Sequence, residues 1–265
     1  MVQPMIRAAN LLFALTFAAT TASAGETRCW FENGAVVAPA GFGDVTGDFI
    51  IDLSQAGSQI HETSARMRGY TGNSMIATLR VGGARIAGFA AGVSDLDART
   101  SAFTTNISGV LGADAFRGFV FELDFAPCRL RLSRGAKGNV AGGSSIRLRT
   151  FGGRPAMPAA ISDGKTSRSG WFLIDTASRG SLIANADFSR PPRDPAASAP
   201  ARLRALSLAG VLFEQTPAGL MTQNDTRIDG AIGAAVLAHF RLRLDQTRGW
   251  LTLAPVLRRS VGQDQ

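Results

Sequence analysis

Two stretches about 120 residues apart, FIIDLSQAGS at 49–58 and WFLIDTASRGS at 171–181, each end an apolar run in one aspartate followed by small and polar residues. Matching elements follow each aspartate in the same order. After Asp52 come LRVGG (79–83), GVLGADAF (109–116) and FVFELD (119–124); after Asp175 come LSLAG (206–210), GAIGAAVL (230–237) and FRLRLD (240–245). The step from aspartate to the glycine of the apolar-apolar-Gly element is 60 residues in the first copy (52 to 112) and 58 in the second (175 to 233). The step to the trailing aspartate is 72 (52 to 124) and 70 (175 to 245). Ordered recurrence over this length marks an internal duplication. The chain must therefore fold into two homologous lobes, each contributing one carboxylate.

With 265 residues, 45% of them apolar, the chain can bury one large core or two smaller ones, and the repeat favours two lobes of roughly 110 residues each. The strand signals FIID, MIATLRV (75–81), GFVFELDF (118–125), RLRLSR (129–134), WFLID, RLRALSLAGVLF (202–213), HFRLRLD (239–245) and WLTLAP (250–255) are short, apolar or alternating, and set apart by glycine-rich turns. A mainly β protein is expected. The best helical candidates are the short segments after each apolar-apolar-Gly element, 113–118 and 234–239.

The termini and the cysteines point to export. Arg7, an apolar run over 11–19 and Ala22-Ser23-Ala24 fit a secretory signal cleaved before Gly25. A periplasmic or extracellular location follows. In such an oxidising compartment Cys29 and Cys128, near the start and end of the first copy, are expected to form a disulfide. Closing a loop of about 100 residues stabilises a fold by on the order of 4 to 5 kcal/mol in the chain-entropy picture. Two cysteines and two distant histidines, His61 and His239, show no metal-ligand spacing, and neither a metal nor a cofactor is expected. The net charge of +8 is carried almost wholly by arginine. Without a dense basic run interleaved with aromatics, nucleic-acid binding is not expected, and weak contact with an anionic envelope surface is the most this charge suggests.

These signals divide the chain into a signal peptide (1–24), an N-terminal lobe (25–134), a Gly/Ser-rich linker (135–146), a C-terminal lobe (147–257) and a tail (258–265). Segment 147–170 reads as a strand, a turn and a hairpin leading into WFLID, with Asp163-Gly164 supplying a turn. A Pro/Ala-rich stretch at 189–201 interrupts the second lobe. In the first lobe, 65–75 holds Tyr70, the only tyrosine, between Gly69 and Gly72. It reads either as a glycine-hinged cover over a cleft or as an ordinary surface turn.

Two carboxyls brought within hydrogen-bonding distance cannot both ionise, so one retains a proton while the other stays charged. Such a pair acts as acid and base together and can activate water against an amide. Asp52 and Asp175 are the candidates. Asp124 and Asp245 also recur, but at strand ends where a structural role suffices. Asp114 has no symmetric counterpart, since Ala234 stands at the matching position of the second copy. No Gly-x-Ser-x-Gly elbow and no phosphate-loop lysine is present, which removes serine hydrolysis and nucleotide chemistry.

In IDTAS (174–178), the two Leu-x-apolar-x-Gly elements, the two apolar-apolar-Gly elements and the strands that follow them, the chain resembles pepsin-like and retropepsin-like aspartic peptidases in their bilobal form. The resemblance runs from about Gly43 to Pro255. It implies two β-barrel-like lobes of the pepsin-like acid protease fold around a cleft, a monomer holding a peptide or protein substrate there, catalysis by Asp52 and Asp175, and support from Thr176, Ser178 and Ser54. The family's Asp-Thr-Gly is altered in both copies. Asp175-Thr176-Ala177 changes only the glycine, whereas Asp52-Leu53-Ser54 loses the threonine as well, and with it a hydroxyl that bonds across the lobes. Leu53 cannot make that bond, so Thr176 is expected to need another partner. An endopeptidase is one implied function; a non-catalytic module of the same fold that binds a peptide or an envelope component is the alternative.

Overall fold

The structure, a computed structural model, describes residues 25–135, 142–183, 202–221 and 225–256. The expected signal peptide, the Pro/Ala-rich stretch at 189–201, residues 136–141 of the linker and the tail lie outside the described residues. Within them the fold is mainly β, built as two closed six-stranded barrels joined by a shared sheet.

In the first barrel the hydrogen-bonded order is Ala35–Phe42, Val45–Ile51, Ile107–Leu111, Gln59–His61, Ala84–Ser94, Ser74–Val81. It closes where Ala40 to Phe42 pair with Val81 to Leu79. The second barrel repeats this order with Arg154–Ser162, Ser167–Ile174, Gly230–Ile232, Ser181–Ile183, Val211–Leu220 and Arg202–Leu208. It closes where Ala160 to Ser162 pair with Ser207 to Ala205. Each barrel carries one extra strand outside the closing pair, Trp30–Glu32 or Arg149–Phe151. The duplication read in the sequence is thus a duplication of topology.

One pairing explains the matched spacings. The strand before each aspartate runs parallel to the strand before each apolar-apolar-Gly glycine, with Ile51 opposite Leu111 and Ile174 opposite Ile232. A parallel pair needs a long crossover connection, and the intervening residues supply it in both lobes. Each aspartate therefore leaves its strand beside the glycine of its own lobe.

The third sheet joins the lobes. Its order is Gly25–Arg28, Cys128–Ser133, Val120–Phe125, Phe240–Asp245, Trp250–Pro255, Ser144–Arg147. At the seam Leu123 lies opposite Leu242 and Phe121 opposite Leu244. The alternating FRLRLD pattern sends Phe240, Leu242 and Leu244 inward while Arg241 stays exposed. Residues 144–146, assigned to the linker from their glycine and serine neighbours, belong to an edge strand of this sheet, anchored by Trp250–Pro255. Fully buried Phe42, Phe49, Phe116, Phe121, Phe172 and Phe240 belong to one apolar cluster that runs through both lobes. Burying a side chain of that size contributes roughly 2 to 3 kcal/mol.

Short helices occur where the sequence places them, a 3-10 turn at Ala113–Phe116 and an α-helical turn at Ala234–Leu237. The sequence reading lacks two others, Glu62–Arg66 and Asp97–Thr100. His61 caps the first by accepting the Thr63 N–H at Nδ1. Cys29 and Cys128 form a disulfide in the first lobe. No helix among the described residues is long and apolar enough to cross a membrane.

Candidate active site

The two aspartate loops are held by the same hydrogen bonds, one set per lobe. The Asp52 N–H donates to Leu111 O at 2.9 Å and the Asp175 N–H to Ile232 O at 3.0 Å. The Ala113 N–H donates to Gln55 O and the Ala234 N–H to Ser178 O, both at 2.8 Å. Six residues beyond each aspartate a serine hydroxyl accepts the N–H of the lobe's glycine, Ser58 from Gly112 at 3.0 Å and Ser181 from Gly233 at 3.2 Å. Both glycines are required by close approach. A Cβ at Gly112 would stand 2.8 Å from the Gly57 carbonyl, and one at Gly233 would stand 2.2 Å from the Gly180 oxygen. The recurring serines and glycines thus hold the loops that present the carboxylates.

Asp52 and Asp175 are both buried, with 5% and 3% of their surface exposed. Burial first, and then the charge of Asp52, pushes the Asp175 carboxyl up to about 6, against hydrogen bonds from the Ala177 N–H and the Ser178 hydroxyl and the nearby Arg99 charge. Asp175 Oδ1 accepts the Ala177 N–H at 2.9 Å. Asp52 is treated differently. Its Oδ1 accepts the Ser54 N–H at 2.8 Å and the Ser54 hydroxyl at 2.6 Å, while its Oδ2 is ion-paired with Arg99 Nη2 at 2.5 Å. Arg99 Nη1 donates to Gln55 Oε1, also at 2.5 Å. Gln55 stands where the second lobe has Ser178. Arg99 and Gln55 together fill the place that one hydroxyl fills beside Asp175.

The lobes are latched beneath the carboxylates by Thr176. Its Oγ1 donates to Ile51 O at 2.6 Å and accepts the Leu53 N–H at 3.2 Å, and its carbonyl accepts the Val36 N–H at 2.8 Å. Position 53 carries no threonine, and the partners Thr176 finds across the lobes are Ile51 O and the Leu53 N–H. Thr176 bonds to backbone groups of the first lobe, which a leucine side chain does not disturb. What position 53 gives up is the reciprocal bond, since Leu53 carries no hydroxyl. Its side chain is instead fully buried in the apolar cluster.

The expected site residues Asp52, Asp175, Thr176, Ser178 and Ser54 converge on this place; Tyr70 does not. Its ring packs on the barrel core and its hydroxyl lies 3.6 Å from the position of a Cβ on Gly43. Gly43 precedes and Asp52 follows strand Val45–Ile51, whose seven residues span roughly 20 Å at the rise of an extended chain. Tyr70 is partly buried against the barrel core in this structure. Asp114 is occupied by the Ser58 N–H and hydroxyl at 3.0 and 2.7 Å. Asp124 is bonded to Arg131 and Arg241, and Asp245 to Arg248, as structural strand-end groups are.

Arg99 and Gln55 escape sequence reasoning because neither recurs in the second copy. The connection before Ile107–Leu111 spans 12 residues, 95–106, whereas its counterpart before Gly230–Ile232 spans nine, 221–229. The longer connection holds the helical turn with Arg99. His61, also missed, is buried and bonded through Nε2 to Asp97 Oδ1 at 3.1 Å, steadying that turn. Ser58 and Ser181 carry a signal that went unused, since both close the repeated stretches at the same offset. Among the described residues no cluster of His, Cys, Asp and Glu could hold a metal ion.

No protein-family model matches the chain, and no curated protein sequence matches it. Solved structures do. One is the aspartic proteinase from Irpex lacteus, which is 13% identical and aligns with a TM-score of 0.60 over 90% of this chain and 99% of that chain. The likeness is one of fold: this chain has the bilobal, mainly β architecture of a pepsin-like aspartic proteinase.

Proposed function

We propose that the protein is an exported peptide hydrolase in which Asp52 and Asp175 share one proton and activate a water molecule. The observation that carries this reading is the joint burial of two aspartates from homologous loops, with the Asp175 carboxyl pushed up to about 6 by burial and by its neighbour's charge. A group of that kind is protonated in mildly acidic solution, and its neighbour Asp52 is ion-paired with Arg99. The roles then divide. Asp52 takes a proton from water as the oxygen adds to the scissile carbonyl carbon, and Asp175 donates its proton to the carbonyl oxygen. On collapse of the tetrahedral diol, Asp52 passes its proton to the departing nitrogen, the C–N bond breaks, and a diol hydroxyl returns a proton to Asp175. No covalent intermediate and no cofactor is required.

The substrate is an extended peptide or unfolded protein lying between the lobes, and the enzyme acts as a monomer. The Cys29–Cys128 disulfide supports folding in an oxidising compartment. Incubating the purified protein with an unfolded protein substrate from pH 3 to 7 tests the reading. Cleavage by the wild type that is lost in both Asp52→Asn and Asp175→Asn is the expected result, and cleavage surviving both substitutions overturns it.

A second reading has its own support in Arg99, which already occupies one oxygen of the proposed base. In that reading the cleft binds a peptide or envelope component without cutting it. Absence of cleavage at every pH, together with retained peptide binding, selects it.

A further inference from the structure

Arg99 is a cation placed where a buried carboxylate meets open space. Its side chain is 33% exposed while that of Asp52 is only 7% exposed. Nη2 is engaged by Asp52 and Nη1 by Gln55, and among the described residues its other N–H groups have no protein acceptor. A guanidinium with donors to spare can bind a second planar acceptor while keeping the first.

The residue is held in place. On one side Asp97 is bonded by His61, and its N–H donates to Asp95 Oδ1 at 2.8 Å. Within the turn the Thr100 hydroxyl donates to Leu96 O at 3.0 Å. On the other side the Glu32 carboxylate accepts the hydroxyls of Thr104 and Thr105 at 2.7 and 2.5 Å together with both of their N–H groups. Those bonds hold Glu32 down at about 2. A donor fixed before its ligand arrives binds at lower entropic cost than a free one.

The second lobe adds another arginine. Arg179 directly follows Ser178, is exposed, and makes no ion pair among the described residues. It lines a cavity of about 680 Å³ together with Phe31, Phe125, Ala234 and Ala238. Phe31 and Phe125 stack there with centroids 5.3 Å apart. One arginine thus stands beside each aspartate loop. At the aspartate pair itself the Arg99 charge offsets the negative charge that would otherwise repel an anionic substrate.

We propose that the cleft selects peptides carrying an acidic side chain beside the bond held over the aspartate pair, with Arg99 as the specificity-determining residue. This rests on the reading that the cleft receives a peptide. It does not require that the peptide be cut.

The test is a binding measurement on the Asp175→Asn form, which removes turnover. Blocked hexapeptides identical except for Glu, Gln or Lys next to the central bond are titrated calorimetrically. Glu peptides are expected to bind about tenfold more tightly than their Gln counterparts, as a charge-assisted pair requires. Adding Arg99→Gln should bring the Glu/Gln ratio close to one, and Arg99→Lys should leave a reduced preference that fades with added salt. Near-ultraviolet circular dichroism establishes that each variant is folded; should Arg99→Gln fail that check, Arg99→Lys and the salt dependence carry the test. Tight binding with the same Glu/Gln ratio in the wild-type and Arg99 backgrounds overturns the proposal and leaves the peptide cleft standing. Failure of every peptide to bind any form overturns both.

Discussion

The loops around Asp52 and Asp175 share backbone and differ in chemistry. Strand pairing, the backbone bonds to the following helical turn and the serine-glycine clasp are the same in both lobes. The side chains then divide the labour. The Asp175 loop supplies the inter-lobe latch through Thr176 and leaves its carboxylate among neutral donors. The Asp52 loop gives up the latch for a buried leucine and gains a charged partner through the longer connection to Ile107–Leu111. A duplicated scaffold preserves what the fold needs twice, and the copies diverge where one instance is enough.

The sharpest way to break this comparison is to neutralise each aspartate in turn. Asp52→Asn and Asp175→Asn are each expected to lower kcat for peptide cleavage by on the order of a thousandfold, measured with an unfolded protein substrate. Equal residual activity in the two variants at every pH would erase the distinction between base and acid.

Stability should separate the loops by pH. A carboxyl raised from 3.8 to about 6 in the folded state favours folding when protonated. Its contribution is complete below about pH 4 and is lost as the pH rises through about 6, a change on the order of 3 kcal/mol. Urea midpoints for wild type and Asp175→Asn should therefore diverge across that window, with the variant flatter. Activity that depends on the same proton should decline above about pH 6.

The latch is one-sided, and substitution can show it. Thr176→Val keeps the shape but leaves the Leu53 N–H and the Ile51 carbonyl without their buried partner, at a cost of about 2 kcal/mol in unfolding free energy. Thr176→Ser should recover most of it. The smallest expected effect is at Gln55, which is partly exposed and braces Arg99. Gln55→Ala should lower stability by less than about 1 kcal/mol in a thermal melt.

Much of this architecture was legible because duplication gives every signal a second reading. An isolated aspartate after an apolar run is ambiguous, but Asp52 and Asp175 share a downstream glycine at nearly equal distance. The structure turns that distance into a parallel strand pair. Alternation in FRLRLD and the short segments after Gly112 and Gly233 were readable for local reasons. What escaped depends on long-range partners. The strand Ser144–Arg147 has a loop-like composition and is a strand because Trp250–Pro255 lies beside it, with Arg147 over the Trp250 ring at 4.4 Å. Tyr70 between glycines looks the same in sequence whether it covers a cleft or packs against a barrel, as its partly buried ring does here. Arg99 lies 47 residues from Asp52 with no counterpart in the other copy, so no pattern ties it to its carboxylate.

The seam at Val120–Phe125 and Phe240–Asp245 has a consequence for the origin and handling of such a chain. Half of the molecule, expressed alone, would end in a bare strand bearing unpaired amide and carbonyl groups. An ancestor containing one lobe would have covered that edge with a second copy of itself. A modern fragment should likewise self-associate, or recapture its missing half when the two are mixed.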